Sequence, residues 1–179
     1  MSWLRRNPAR KAAENLYADL VAQARRPEFY ARLGVPDTLD GRFEMVTMHV
    51  FIALRRLKAE PRSPGLGQSL VDLFVEDMDA SLREMGAGDL GVGRRVKRMA
   101  QALYGRIAAY EQGLAGPEEQ LIEALRRNIY ATARGEGGPD PAALAALAGY
   151  LRRESAGSAP GPEGIGFGPP PASASAPGR

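Results

Sequence analysis

One histidine, His49, and three carboxylates, Asp72, Glu76 and Asp79, are the groups in this 179-residue chain best suited by type and spacing to hold a metal or move a proton. Spaced by four and then three positions, the carboxylates fall on one face of a helix. In paired-metal bundles such a face is completed by a histidine three positions after a glutamate on facing helices. Here His49 follows Glu44 by five positions, so that unit is not formed and the carboxylates read as a solvated acidic face. By 100° steps His49 shares a helix side with Arg42, Met45, Ala53 and Arg56. Such a ring suits a haem ligand, a hydrogen bond to a partner, or a half-buried group bonded to a nearby acid or carbonyl. There is no cysteine, which excludes disulfides, thiolate zinc sites, iron–sulfur ligation and cysteine nucleophiles. Ser63, Ser69 and Ser81 sit in no G-x-S-x-G element and have no base nearby in sequence. Gly86-Ala87-Gly88-Asp89-Leu90-Gly91 follows a helical pattern instead of a strand, so it reads as a turn and not as a phosphate loop. No catalytic residue, metal site or cofactor site is expected.

The elements that carry these side chains are helical. Apolar residues recur at helical spacing, and strand-like alternation is absent. Leu16, Leu20 and Ala24, with Tyr17 and Val21 beside them, predict a helix from Ala9 to about Arg25. Pro27 stops it and opens a short helical turn through Leu33. Asp37 or Thr38 is placed to cap the next helix, from Thr38 to about Lys58. That helix holds Phe43, Met45, Val46, Met48, Val50, Phe51, Ile52 and Leu54; being apolar nearly all round, it marks the buried centre. Further helices are expected over about Leu66–Met85, Gly93–Gly113, Pro117–Ala133 and Asp140–Glu154. Gly105 inside one of them reads as an allowance for close packing.

The expected fold is therefore all-α, a single compact domain of about six or seven helices. It spans residues 9–154, after a flexible basic leader of residues 1–8. Residues 155–179 hold only Gly, Pro, Ala and Ser apart from Glu163, Ile165, Phe167 and Arg179, so this C-terminal tail is expected to be disordered. Ile165 and Phe167 have the spacing of a short docking motif, although two apolar residues in such a stretch also arise by chance. No run approaches the roughly 18 uninterrupted apolar residues of a membrane span. The start lacks an apolar run of secretory length, so the cytoplasm is the expected compartment. Trp3, Leu4, Arg5 and Arg6 have the chemistry of a peripheral contact with an anionic bilayer.

Charge is close to balance, 24 Lys and Arg against 21 Asp and Glu, but it is unevenly placed. From Ser63 to Leu90 six acids face one base; from Gly91 to Gly113 five bases face one acid. The acids crowd the end of one helix and the bases the start of the next, which is the order that helix dipoles oppose. An antiparallel pair joined by the Gly-rich turn would let the two sets clasp one another, and any surplus would steer a charged partner. Arg94 and Lys97 stand in the basic set. Arg25-Arg26, Arg55-Arg56 and Arg126-Arg127 lie on different helices, interrupted by acids, and do not make a nucleic-acid face; no sequence-specific nucleic-acid partner is expected.

Two long stretches, LYADLVAQARRPEFYARLGVPDTLDGRFEMVTMHVFIALRRL and LVDLFVEDMDASLREMGAGDLGVGRRVKRMAQALYGRIAAYEQGL, closely resemble the ubiquinol–cytochrome c chaperone family, over about Leu16 to Tyr130. The resemblance implies an α-helical, non-enzymatic assembly factor of respiratory complex III. Such a factor binds newly made cytochrome b and holds it until haem and partner subunits are added. It also implies further contacts for relatives of this kind: a second assembly factor, the ribosome, and the inner membrane at its surface. Asp37, Asp40, Arg42, Glu44, His49, Asp77, Asp79, Arg83, Glu84, Lys97 and Arg106 match the family's polar pattern. A charged subset of these is expected at the client, namely Arg42, His49, Asp77, Asp79, Arg83, Glu84, Lys97 and Arg106, together with Arg94. Asp37, Asp40 and Arg42 also suit a structural part in the capped turn. Two rival classes stay open on sequence alone. A metal- or haem-dependent enzyme would carry stoichiometric cofactor, and a ribosome or nucleic-acid adaptor would show binding that falls steeply with salt.

Overall fold

The computed structural model describes residues 8–60, 64–84, 92–133, 138–161 and 164–172. Among them lie seven α-helices: α1 (Pro8–Ala24), α2 (Pro27–Ala31), α3 (Leu39–Ala59), α4 (Leu66–Glu84), α5 (Val92–Ala115), α6 (Glu118–Asn128) and α7 (Pro141–Ser155). The sequence punctuation accounts for most of these boundaries. Pro27 opens α2 at its first turn. Of the two candidate caps before α3 it is Thr38 that caps, its hydroxyl accepting from the Gly41 amide at 3.1 Å. Asp37 instead accepts from Arg42 Nε at 2.7 Å. Asp140 accepts from the Ala142 amide at 3.0 Å, and Pro141 supplies the first residue of α7.

The helix expected at the centre is the one found there. Met45, Met48, Val50, Phe51, Ile52 and Ala53 of α3 are buried on every side. Each large apolar side chain so enclosed contributes about 1.5–3 kcal/mol. Around α3 the chain winds so that α1 lies along both α3 and α4, α5 packs on α4 and α6, and α7 returns from α6 onto α3. Phe51 meets Tyr110 of α5 with ring centroids 5.4 Å apart, and the Tyr130 hydroxyl donates to the Leu33 carbonyl at 2.8 Å. No helix among the described residues is long and apolar enough to cross a membrane.

Three expectations change here. Among the described residues, the acids of α4 take their partners from α1 and from α4 itself. Glu76 accepts from both terminal nitrogens of Arg10, Asp77 from the Tyr17 hydroxyl at 2.8 Å, Asp72 from Gln68 and Asp79 from Arg83. Because α1 lies along α4, Arg10 and Tyr17 reach those carboxylates directly. Residues 85–91 and the side chains of Glu84, Arg94 and Arg95 lie outside the described residues. Gly105 faces open space, and it is Gly113 that lets α5 approach α6, since a Cβ there would lie 2.8 Å from Leu121 Cα.

The third change concerns the tail. Ser155 closes α7, and residues 164–172 lie across the helices instead of standing free of them. Ile165 is buried and Phe167 packs on the core, while the buried Arg56 and Glu154 bond the Gly166 carbonyl between them and the Gly168 amide beyond. Two anchors and a set of backbone bonds hold a segment whose average composition argues for disorder. Residues 173–179 and the leader residues 1–7, with Trp3, Leu4, Arg5 and Arg6, lie outside the described residues.

Candidate functional site

Over the first two turns of α3 one side reaches the surface while Gly41, Glu44, Met45 and Val46 stay buried. Leu39 is half exposed although it is a large apolar residue, and Asp40, Arg42, Phe43 and the buried Val46 line a groove beside it. Asp77, Met78 and Ser81 of α4, Arg98 and Ala102 of α5 and Arg25 just beyond α1 complete its lining. The groove encloses about 490 Å³, within the range of sites that take several apolar side chains. Its floor is apolar because α3 is apolar nearly all round. That pattern buries the middle of the helix, and among the described residues no further element covers Leu39 at its N-terminal end.

The walls are held from behind. The Phe43 ring packs, tilted, against Phe74 at 5.8 Å, and the Arg106 guanidinium lies over the Phe43 ring at 5.8 Å from its centroid. Arg106 is fixed by Glu44, donating from Nε at 2.9 and 3.1 Å and from a terminal nitrogen as well. Burial pushes the Glu44 carboxyl above its ordinary range, and Arg106 opposes that rise. At the rim, Arg42 holds the Asp37 carboxyl below its usual range. Asp77 accepts from Tyr17, whose phenol is pushed up by burial and by that carboxylate. Arg25 and Arg98 are exposed and make no ion pair among the described residues. The result is an apolar cleft bordered by two cations that make no ion pair among the described residues.

Of the residues named from sequence, Arg42 and Asp77 border this groove. Lys97 is exposed on α5 beside Arg98, and Arg106 braces the wall from behind. Asp79 and Arg83 pair with each other one turn apart on α4, at 2.7 Å. The side chains of Glu84 and Arg94 lie outside the described residues. His49 is a correction. It is fully buried, its Nδ1–H donates to the Met45 carbonyl at 2.7 Å, and its Nε2 accepts from the Tyr150 hydroxyl at 2.9 Å. With residues 164–169 in place, a ring so enclosed and so bonded presents no surface to a charged client. Burial also lowers its pKa to about 4, which keeps it neutral. Sequence reading missed Arg25, Leu39, Phe43, Val46, Met78, Ser81, Arg98 and Ala102 as groove residues; the one signal available was the apolar pair Leu39 and Phe43, one helical turn apart among the charged residues that open α3.

Fold and groove together define a class: an all-helical protein with an apolar, arginine-bordered cleft. Comparison with known proteins narrows it. The family model described as Ubiquinol-cytochrome C chaperone matches residues 31–158, and this chain belongs to that family, whose members are assembly factors of complex III. Over 144 residues, 80% of this chain, it is 27% identical to ubiquinol-cytochrome-c reductase complex assembly factor 1 of Xenopus laevis, covering 70% of that protein. The human protein of the same name is 28% identical over the same share of this chain, which spans only 47% of its length. Among solved structures, the crystal structure of the Cbp3 homolog from Brucella abortus is similar, with a TM-score of 0.67 and 39% identity, covering 80% of this chain and 78% of that one.

Proposed function

We propose that this chain binds newly made cytochrome b and holds it during assembly of ubiquinol–cytochrome c reductase, and that the groove between α1, α3, α4 and α5 receives the client. The role is one of binding and release, without turnover of a substrate. The observation that carries the reading is the cleft itself. Leu39, Phe43, Val46 and Met78 offer an apolar floor, and Arg25 and Arg98 stand at its border, in no ion pair among the described residues. An apolar client segment flanked by acidic or carbonyl groups satisfies both parts, burying surface against the floor and pairing at the rim. Such a client belongs to the inner membrane, so this reading places the chain at that membrane's face without spanning it.

The test is to express tagged full-length chain carrying Leu39→Asp, or Arg98→Glu, in cells lacking the native protein. Recovered cytochrome b and complex III activity are then measured. Recovery is expected to fall about tenfold or more, equivalent to about 1.4 kcal/mol of binding, while the melting temperature stays close to that of the unaltered chain because both side chains are exposed. Reversing Arg94 and Lys97 to Glu is expected to weaken capture more than it lowers melting. Undiminished cytochrome b on all these variants would remove both the groove and the charged border from the function.

A further inference from the structure

A second furrow, between α1, α3 and α7, is already filled. Its occupant is the chain's own segment of residues 164–169. Ile165 is buried there, and the Phe167 ring meets the edge of His49 at 5.2 Å with the Arg56 guanidinium over its face at 5.4 Å. The backbone between and beyond these anchors is bonded by side chains of the helices. Arg56 donates to the Gly166 carbonyl at 2.9 Å, Gln23 to the Gly168 carbonyl at 3.0 Å and Arg153 to the Pro169 carbonyl at 3.1 Å. Glu154 accepts from the Gly168 amide at 3.2 Å. Those donors and acceptors are themselves organised. Gln23 also donates to the Tyr150 hydroxyl, which donates to His49, and Arg56 pairs with Glu154.

This is how a protein binds an extended peptide, and not how one helix packs on another. Specificity comes from two side-chain anchors two residues apart, and affinity from main-chain groups read by fixed polar side chains. The glycines are part of the pattern. Gly164 has φ +101°, and a Cβ on it would lie 2.2 Å from Asp19 Oδ2. A Cβ on Gly168 would lie 2.8 Å from Glu154 Oε1. Pro169, Pro170 and Pro171 follow, and their fixed φ reduces the freedom that docking must remove. The segment belongs to no helix or strand, and its backbone–backbone bonds are the local pair that Gly164 exchanges with Gly161, at 3.0 and 3.1 Å.

We propose that this furrow is a binding site for extended segments of the pattern Gly-aliphatic-Gly-aromatic-Gly-Pro, and that residues 164–169 are its resident ligand, held in cis and exchangeable. The site is distinct from the client groove. The groove uses the N-terminal end of α3, while the furrow uses His49 and Arg56 further along it.

The experiment uses the full chain and a fluorescent peptide of residues 164–172. Ile165→Ala with Phe167→Ala removes both anchors from the resident segment and leaves the furrow walls intact. The doubly altered chain is expected to bind the peptide at least tenfold more tightly than the unaltered chain does, and to ignore a peptide in which Phe167 is replaced by Ala. Hydrogen exchange on the unaltered chain is the second readout: the amides of Ile165 and Gly168 should exchange at least a hundredfold faster than those of α3 and α7. Equal peptide binding by the two chains would overturn the proposal. So would unfolding of the doubly altered chain, or exchange of residues 164–169 in step with α3, since either would make the segment an integral part of the core.

Discussion

At Arg56 and Glu154 two opposite charges are each 4% exposed, joined at 2.8 Å, with Arg56 also donating to the Glu154 carbonyl. Burial lowers the Arg56 pKa, and Glu154 acts against that fall. Removing one partner of such a pair leaves an uncompensated buried charge, so Glu154→Gln is expected to cost about 3 kcal/mol in urea unfolding. Arg42→Ala, whose side chain pairs with Asp37 in solvent, should leave the urea midpoint close to unchanged. His49 sets a pH dependence. Its folded pKa is about 4 against 6.5 for the free ring, so as pH falls the unfolded chain takes up the proton first. The contribution of His49 to stability is therefore lost between pH 6.5 and about 4 and changes no further below, by about 3 kcal/mol in all. Around the ring, Glu154 favours the proton and Arg56 opposes it, while Tyr150 donates to the bare nitrogen. Glu28, Asp37, Glu76 and Glu123 have carboxyls lowered by arginine partners, so what they contribute is lost at lower pH, as each is protonated. Urea midpoints at pH 7 and pH 4.5 should differ clearly for the unaltered chain and much less for His49→Gln.

Among the elements, α5 offers an internal comparison. Gly105 is exposed in mid-helix with nothing within 4 Å of an added Cβ, so Gly105→Ala should stabilise by about 0.5–1 kcal/mol. Gly113→Ala drives its Cβ into the backbone of Leu121 and should destabilise by about 1–3 kcal/mol. Thermal melts of the two variants are expected to shift in opposite directions, by about 2–4 °C per kcal/mol for a chain of this size. Sequence reading assigned the packing role to the wrong glycine, because a helical glycine shows neither which face it is on nor what lies opposite. The helices themselves were legible since their ends are marked chemically, at Pro27, Thr38, Pro117 and Asp140-Pro141, and the burial of α3 was legible from its composition. What was not legible depends on which elements touch. Arg10 answers Glu76 across 66 positions, and the groove gathers residues from Arg25 to Ala102. In the tail, an average over Gly, Pro, Ala and Ser hides two anchors whose value depends on a furrow built by other helices.

Across the whole molecule α3 serves two surfaces at different heights. Leu39, Phe43 and Val46 floor the groove, while His49 and Arg56 receive the tail. At about 1.5 Å of rise per residue, Leu39 and Arg56 stand roughly 25 Å apart along the axis. Side chains so separated and without shared partners act independently on stability, their effects adding to within about 0.5 kcal/mol. The helix between them is closely packed core, so it transmits little unless it has a second arrangement to move to. The double variant Leu39→Asp with Phe167→Ala is therefore expected to show the sum of the two single changes in unfolding free energy. Leu39→Asp alone should diminish cytochrome b capture and leave tail exchange as it was; Phe167→Ala alone should speed tail exchange and leave capture as it was. Capture assays and hydrogen exchange on the three chains decide the matter. A coupling beyond about 1 kcal/mol, or loss of client on releasing the tail, would mean that α3 links the two surfaces, and that the tail's position governs the groove.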